Sequence, residues 1–136
     1  MKETAYISGH LDLTPEEWNE HYHLRVLKAA LAGHCFVVGD AKGSDYLAQL
    51  SLSLKHELVT VYHMLGSPRN LVSERFTTKG GFKSDNERDA AMTLASTYDI
   101  AWVRPGREKS GTAKNLKRRG LYKTCSEIMK SGEGED

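Results

Sequence analysis

Cysteine is scarce in this chain of 136 residues: Cys35 and Cys125 are its only two, and they show neither metal-ligand nor redox spacing. That excludes a disulfide framework. A chain of this length buries very roughly 68–70% of its unfolded surface, so one continuous core suffices without staples. Cys35 opens an apolar run and reads as a buried thiol, and a reducing, cytoplasmic compartment fits. Long apolar runs are absent too. Nothing approaches the roughly 18–20 residues of a membrane span, and Lys2 and Glu3 are followed by no signal-peptide stretch. A soluble chain with no membrane partner is the expectation. The net charge of +1 leaves no excess of one sign, which argues against a generic polyanion binder. There is no internal repeat and no interior linker. One domain over 1–123 is expected, then a polar, Gly-rich tail over 124–136 that reads as partly disordered.

What is present is an alternation of short apolar runs with longer amphipathic ones. Strands are read at Ala5–Gly9, Cys35–Gly39, Leu58–His63 and Tyr98–Val103. Thr14 suits an N-cap and Pro15 the first helical position of a helix whose apolar residues Trp18, Tyr22, Val26 and Ala29 recur at helical spacing up to a stop at Gly33. A second helix is read from Ser44 to about His56, with Leu47, Leu50, Leu54 and Leu58 inward. A third runs from a Ser84-Asp85 cap to Ala95, with Ala91, Met92 and Ala95 inward. A fourth opens at Gly111-Thr112 and continues to about Arg119. The stretch 66–83, with Pro68, Gly80 and Gly81, shows no clean period and reads as a functional loop or lid. Strands separated by helix-length segments imply right-handed crossovers. The expected fold is α/β, a Rossmann-like three-layer sandwich with a mostly parallel sheet of four or five strands and helices on both faces. In such sheets ligands bind beyond the carboxyl ends of the strands, near a switch point.

That rule directs attention to the loops after the strands. Gly39-Asp40-Ala41-Lys42-Gly43-Ser44 lies where a strand turns into a helix. It is open to two readings: a tight turn whose glycines serve only geometry, or a cradle in which backbone amides and Lys42 bind phosphate. Ser110-Gly111-Thr112 repeats the arrangement after the last strand, with Arg104, Arg107 and Lys109 nearby, and is either a helix cap among solvated cations or a second anion loop. Arg88, flanked by Asp85, Glu87 and Asp89, belongs either to local ion pairs or to a forked phosphate contact. The six histidines give no metal-ligand pattern. His21 and His23 point to different helix faces, and His34, His56 and His63 are scattered. No metal and no cofactor are expected. His10, in the Ser8-Gly9-His10 loop, is placed for hydrogen bonding to a ligand. Lys114, Lys117, Arg118, Arg119 and Lys123 form a basic face with no interleaved aromatics, which is either solvated or, less favourably, in contact with nucleic acid.

Taken together, Ile7-Ser8-Gly9-His10, Val38-Gly39-Asp40-Ala41-Lys42-Gly43-Ser44-Asp45, Arg88-Asp89-Ala90-Ala91-Met92 and Pro105-Gly106 followed by Gly111-Thr112 resemble motifs of the SLOG superfamily over most of residues 5–119. That superfamily comprises Rossmann-like proteins that include the lonely-guy phosphoribohydrolases, DprA-like and YspA-like proteins. The resemblance implies binding of a nucleotide or nucleotide-derived ligand, for sensing or sequestration, by Ser8, Gly9, His10, Gly39, Lys42, Gly43, Ser44, Ser110, Gly111, Thr112 and Asn115. It puts Arg88 at the position of the family's catalytic arginine and implies a homodimer or larger assembly. It also implies an alternative activity: cleavage of the N-glycosidic bond of a nucleoside 5′-phosphate, of the phosphoribohydrolase or deoxyribosyltransferase kind. Asn115, however, stands where those enzymes carry a glutamate, and an amide supplies no negative charge to an oxocarbenium-like transition state. A hydrolytic reading therefore needs another carboxylate, with Asp40, Asp85 and Glu87 as candidates. The DprA-like members imply a third reading, a DNA-associated module using the basic face.

Overall fold

The computed structural model of the protein describes residues 2–120. In chain order the elements are β1 (Thr4–Ile7), α1 (Pro15–His21), α2 (His23–Leu31), β2 (Cys35–Gly39), α3 (Ser44–Ser51), a 3-10 segment (Ser53–Leu58), β3 (Val59–Met64), β4 (Thr77–Phe82), α4 (Asp85–Leu94), β5 (Tyr98–Ile100) and α5 over 111–120. The five strands form one parallel sheet in the order β4-β3-β2-β1-β5. Successive strands step outward from β1 to β4. The chain then crosses back through α4 to place β5 on the other side of β1, so the topological switch point lies between β1 and β5.

Side-chain alternation along the strands builds two cores. Ala5, Ile7, Phe36, Val38, Val59, Val61 and Ile100 pack on one face with residues of α1, α2 and α3, while Tyr6, Val37 and Tyr62 pack on the other with Met92 of α4. Helices thus cover both faces of a Rossmann-like α/β sandwich.

Several expected elements take different bounds. The helix read from Pro15 to Gly33 is broken at Tyr22 (φ −122°, ψ −42°). The cause is tertiary: the buried Tyr22 stacks on Trp18, donates from its hydroxyl to Ser8 O at 2.8 Å and accepts from Trp102 N at 3.0 Å. The helix read to His56 stops at Ser51, and the tighter 3-10 turn that follows shifts the inward face. Within α3, Ala48 and Gln49 are buried while Leu50 is 45% exposed, and past its end Leu52 is buried while Leu54, in the 3-10 turn, is 90% exposed. Ala95 is exposed, beyond the end of α4. Cys35 is half-buried rather than enclosed. The last strand is only three residues long.

The stretch 66–83 holds an edge strand, β4, and is not loop throughout. Its Thr77-Thr78-Lys79-Gly80-Gly81 portion is exposed, so no apolar alternation marks it, and its strand character comes from pairing with β3. Cys125, Lys123 and the tail 124–136 lie outside the described residues.

Candidate functional site

A cavity of about 270 Å³ opens at the carboxyl rim of the sheet, at the β1/β5 switch point. The β1 exit supplies Ser8, Gly9, His10 and Leu11, and α5 with the loop before it supplies Arg107, Ser110, Gly111, Thr112 and Asn115. From α4 come Asp85, Arg88 and Asp89. Of the residues singled out in the sequence, Gly39, Asp40, Lys42, Gly43, Ser44 and Glu87 do not line it.

The two glycine-bearing bends therefore reach the same rim but act differently. Gly43 has φ +75°, and a Cβ there would run into the carbonyls of His10 and Leu11. The amide of Ser44, the first of α3, donates to His10 O at 3.2 Å. Gly9 is equally constrained, since a Cβ would strike Ser44 and the Tyr22 hydroxyl. The turn after β2 thus locks two loops together, the geometric reading of its glycines, and gives the cavity Ala41 and Asp45. Lys42 is exposed outside the cavity.

The bend before α5 has its first amides open. Ser110 is the N-cap, its Oγ accepting from Ala113 N at 3.2 Å and its carbonyl from Lys114 N at 3.0 Å. The amides of Gly111 and Thr112 have no hydrogen-bond partner among the described residues. A Cβ at Gly111 would meet open space, so internal packing does not require glycine there.

Charge is concentrated on the α4 side. Asp40, fully buried behind the cavity, accepts from Arg88 Nη1 at 2.8 Å, Arg69 Nη2 at 2.8 Å and Arg69 N at 2.8 Å. Burial alone would raise its pKa, but the Arg69 bonds and the Arg88 charge outweigh that and hold it below the ordinary range. Arg88 also pairs with Asp89 at 3.1 Å, and Arg69 reaches Asp85 at 3.0 Å. Glu87 is exposed, accepting from Lys83 N as part of the α4 cap. Of the three carboxylates proposed for bond cleavage, Asp85 alone lines the cavity.

Two others line it as well. Asp45 accepts from Ala41 N at 3.1 Å, and burial pushes its pKa up to about 6 against the pull of Arg88. Asp89 lies beside Tyr6, whose phenol is held well above its ordinary pKa, first by burial and then by that carboxylate. Tyr6 OH accepts from Asn115 Nδ2 at 3.0 Å, and Asn115 Oδ1 accepts from Arg118.

Arg69 and Tyr6 were not legible as site residues. Arg69 sits in the segment read as loop, and Tyr6 reads as core. Asp45 did have a signal, an acidic residue in the first helical turn after a strand, and Asp89 was visible as a flank of Arg88.

On the opposite rim of the cavity, His10 is 2% exposed and accepts at Nε2 from Arg104 N at 2.8 Å. The Arg104 guanidinium clamps Glu17 and Asp12, fixing the 101–110 segment against the β1 loop. On the basic face, Arg118 is bound by Asn115 and Asn86, and Arg119 by Asp99 and Ser96, leaving Lys114 and Lys117 exposed. Among the described residues no cluster of histidine, cysteine, aspartate or glutamate is arranged to hold a metal, and no helix is long and apolar enough to cross a membrane. Searches against family models, curated proteins and solved structures find no match to this chain.

Proposed function

We propose that the switch-point cavity binds a small phosphorylated nucleoside or a close relative, with its phosphate at the α5 start. The observation that carries this reading is the pair of amides at Gly111 and Thr112 that have no partner among the described residues, at a glycine that internal packing does not require. Arg107 supplies the cation. Arg69 and Arg88 are each bound by aspartates at 3.1 Å or less, whereas the nearest carboxylate to Arg107 is the exposed Asp12 at 3.6 Å. One available cation suits a single phosphate. A cavity of about 270 Å³ lies at the lower bound of ordinary ligand pockets, about 300 Å³, and suits a mononucleotide better than a dinucleotide. Away from the phosphate, Asp45, Asp89 and Tyr6 offer oxygens to sugar hydroxyls or an exocyclic amine. The SLOG resemblance implies the same ligand class. Titration calorimetry with the common nucleoside 5′-monophosphates and ribose 5-phosphate tests the reading. Saturable binding weakened by Arg107→Ala supports it, and no binding by the folded protein to any of them ends it.

A second reading, cleavage of the ligand's N-glycosidic bond, is favoured by Asp45, a cavity carboxylate able to take the place of the glutamate that Asn115 lacks. Chromatography for free base decides it. Release abolished by Asp45→Asn, with binding retained, is the expected result under this reading.

A further inference from the structure

At the exit of β1, Ser8 and His10 belong to the cavity lining, and each carries a buried polar atom with no hydrogen-bond partner among the described residues: Ser8 Oγ (residue 5% exposed) and His10 Nδ1 (residue 2% exposed). A buried polar group without a partner is destabilising, because it has given up its hydrogen bonds to water and gained none. Folds tolerate that where a ligand completes the bond.

The chemistry of the His10 ring can be assigned from its other nitrogen. Nε2 accepts the Arg104 amide at 2.8 Å, so in the neutral ring the proton is on Nδ1, which is then a donor. The neighbours keep the ring neutral: burial, Arg107 and Arg104 disfavour the imidazolium, outweighing Asp12 and Glu17. A second proton on Nε2 would also confront the Arg104 N–H. Trp102 packs edge-on against the ring at 6.1 Å and restrains its orientation. Ser8 adds a hydroxyl from the same loop.

We infer that Ser8 Oγ–H and the Nδ1–H of neutral His10 form an uncharged donor pair for the ligand's phosphoryl oxygens, facing the open amides of Gly111 and Thr112 across the β1/β5 crevice. This rests on the phosphorylated-ligand reading above and adds to it the atoms that hold the second side of the phosphate. Both sides come from the two strands that flank the switch point. The pair brings no charge, so it favours an oxygen acceptor without adding a counterion to the site.

Glutamine at position 10 tests this, because its carbonyl can keep accepting from Arg104 N while no donor is left at the Nδ1 position. Calorimetry would compare the wild type, His10→Gln and Ser8→Ala against the nucleoside 5′-monophosphates and the matching nucleosides. Each variant is expected to weaken monophosphate binding by roughly 3- to 10-fold, as the loss of one hydrogen bond implies, and to leave nucleoside binding unchanged. Nitrogen-15 NMR of the wild type should show His10 protonated at Nδ1 alone at pH 7.5. Wild-type binding that both variants match, or an Nε2-protonated ring, overturns the donor pair and leaves the ligand reading intact. No wild-type binding overturns both. Should His10→Gln fail to fold, Ser8→Ala and the tautomer decide.

Discussion

Asp45 is a carboxylate the fold holds against its own stability, and removing its charge should strengthen the protein. Its pKa rises from 3.8 to about 6, chiefly through burial. The folded state therefore binds a proton more tightly than the unfolded chain does. The Asp45 contribution to stability is therefore most favourable below pH 4, falls as the pH rises through 6, and stays reduced above it. A displacement of about two units at 1.36 kcal/mol each is roughly 3 kcal/mol, and because Asp45 is half-buried, screening brings this to about 1–3 kcal/mol. Asparagine has the same shape and can still accept from Ala41 N. Arg88 loses one neighbouring anion but keeps Asp40 and Asp89. Asp45→Asn should thus be more stable than wild type by about 1–3 kcal/mol at pH 8 and nearly equal to it at pH 4. Urea denaturation at both pH values, followed by fluorescence of the buried Trp18, measures the difference. A variant that is no more stable at pH 8, or one whose advantage is the same at pH 4, refutes the argument. The cost falls on a cavity residue, as expected when a site is retained for what it binds.

Gly43→Ala should destabilise by about 2–4 kcal/mol, since positive φ is compounded by collision with the His10 and Leu11 carbonyls. Gly33→Ala, at φ +77° with open space around it, should cost only about 1–2 kcal/mol in the same denaturation assay. Arg88→Met leaves the buried Asp40 with Arg69 alone and should cost about 3 kcal/mol; adding Asp40→Asn should cost less than the sum of the single changes, as a double-mutant cycle would show. His10 acts with the opposite sign to Asp45. Its pKa is lowered, so its contribution is complete above about pH 6.5 and is lost as the pH falls through that value to the folded pKa. Stability curves measured from pH 4 to 8 should lose that acid-side slope in His10→Gln.

Where a segment's conformation follows from its own residues, the sequence displayed it. The compact run Cys35–Gly39 is β2 with the expected bounds, and the Thr14-Pro15 start of α1 carries its capping box with Glu17. Where conformation follows from a distant partner, the local pattern misled. Tyr22 breaks a helix to reach Ser8 and Trp102. Thr77–Phe82 becomes a strand because β3 leaves an edge to pair with, although its outer face has no core to join.

The site divides along the same line. Position at the sheet rim follows from strand order, so the residues beside the strand exits were recognisable: Ser8-Gly9-His10, Arg88 and Ser110-Gly111-Thr112 all meet in one cavity. Whether an amide at that rim is free depends on what crosses above it. The two glycine bends look alike in sequence, yet Ser44 N is occupied by His10 O, while Gly111 N and Thr112 N are not bonded among the described residues. That asymmetry gives the cavity a polarity that neither motif carries alone. Donors without a close carboxylate lie at the α5 start, at Gly111, Thr112 and Arg107, whereas Asp45, Asp85 and Asp89 lie toward α3 and α4, where the donors Arg69 and Arg88 are already held in ion pairs. A ligand complementary to that gradient is anionic at one end and rich in hydrogen-bond donors at the other, as a sugar phosphate is. Methylating the sugar hydroxyls should therefore weaken binding in the wild type and weaken it less in Asp45→Asn, whereas an equal loss in both would mean that the sugar faces elsewhere.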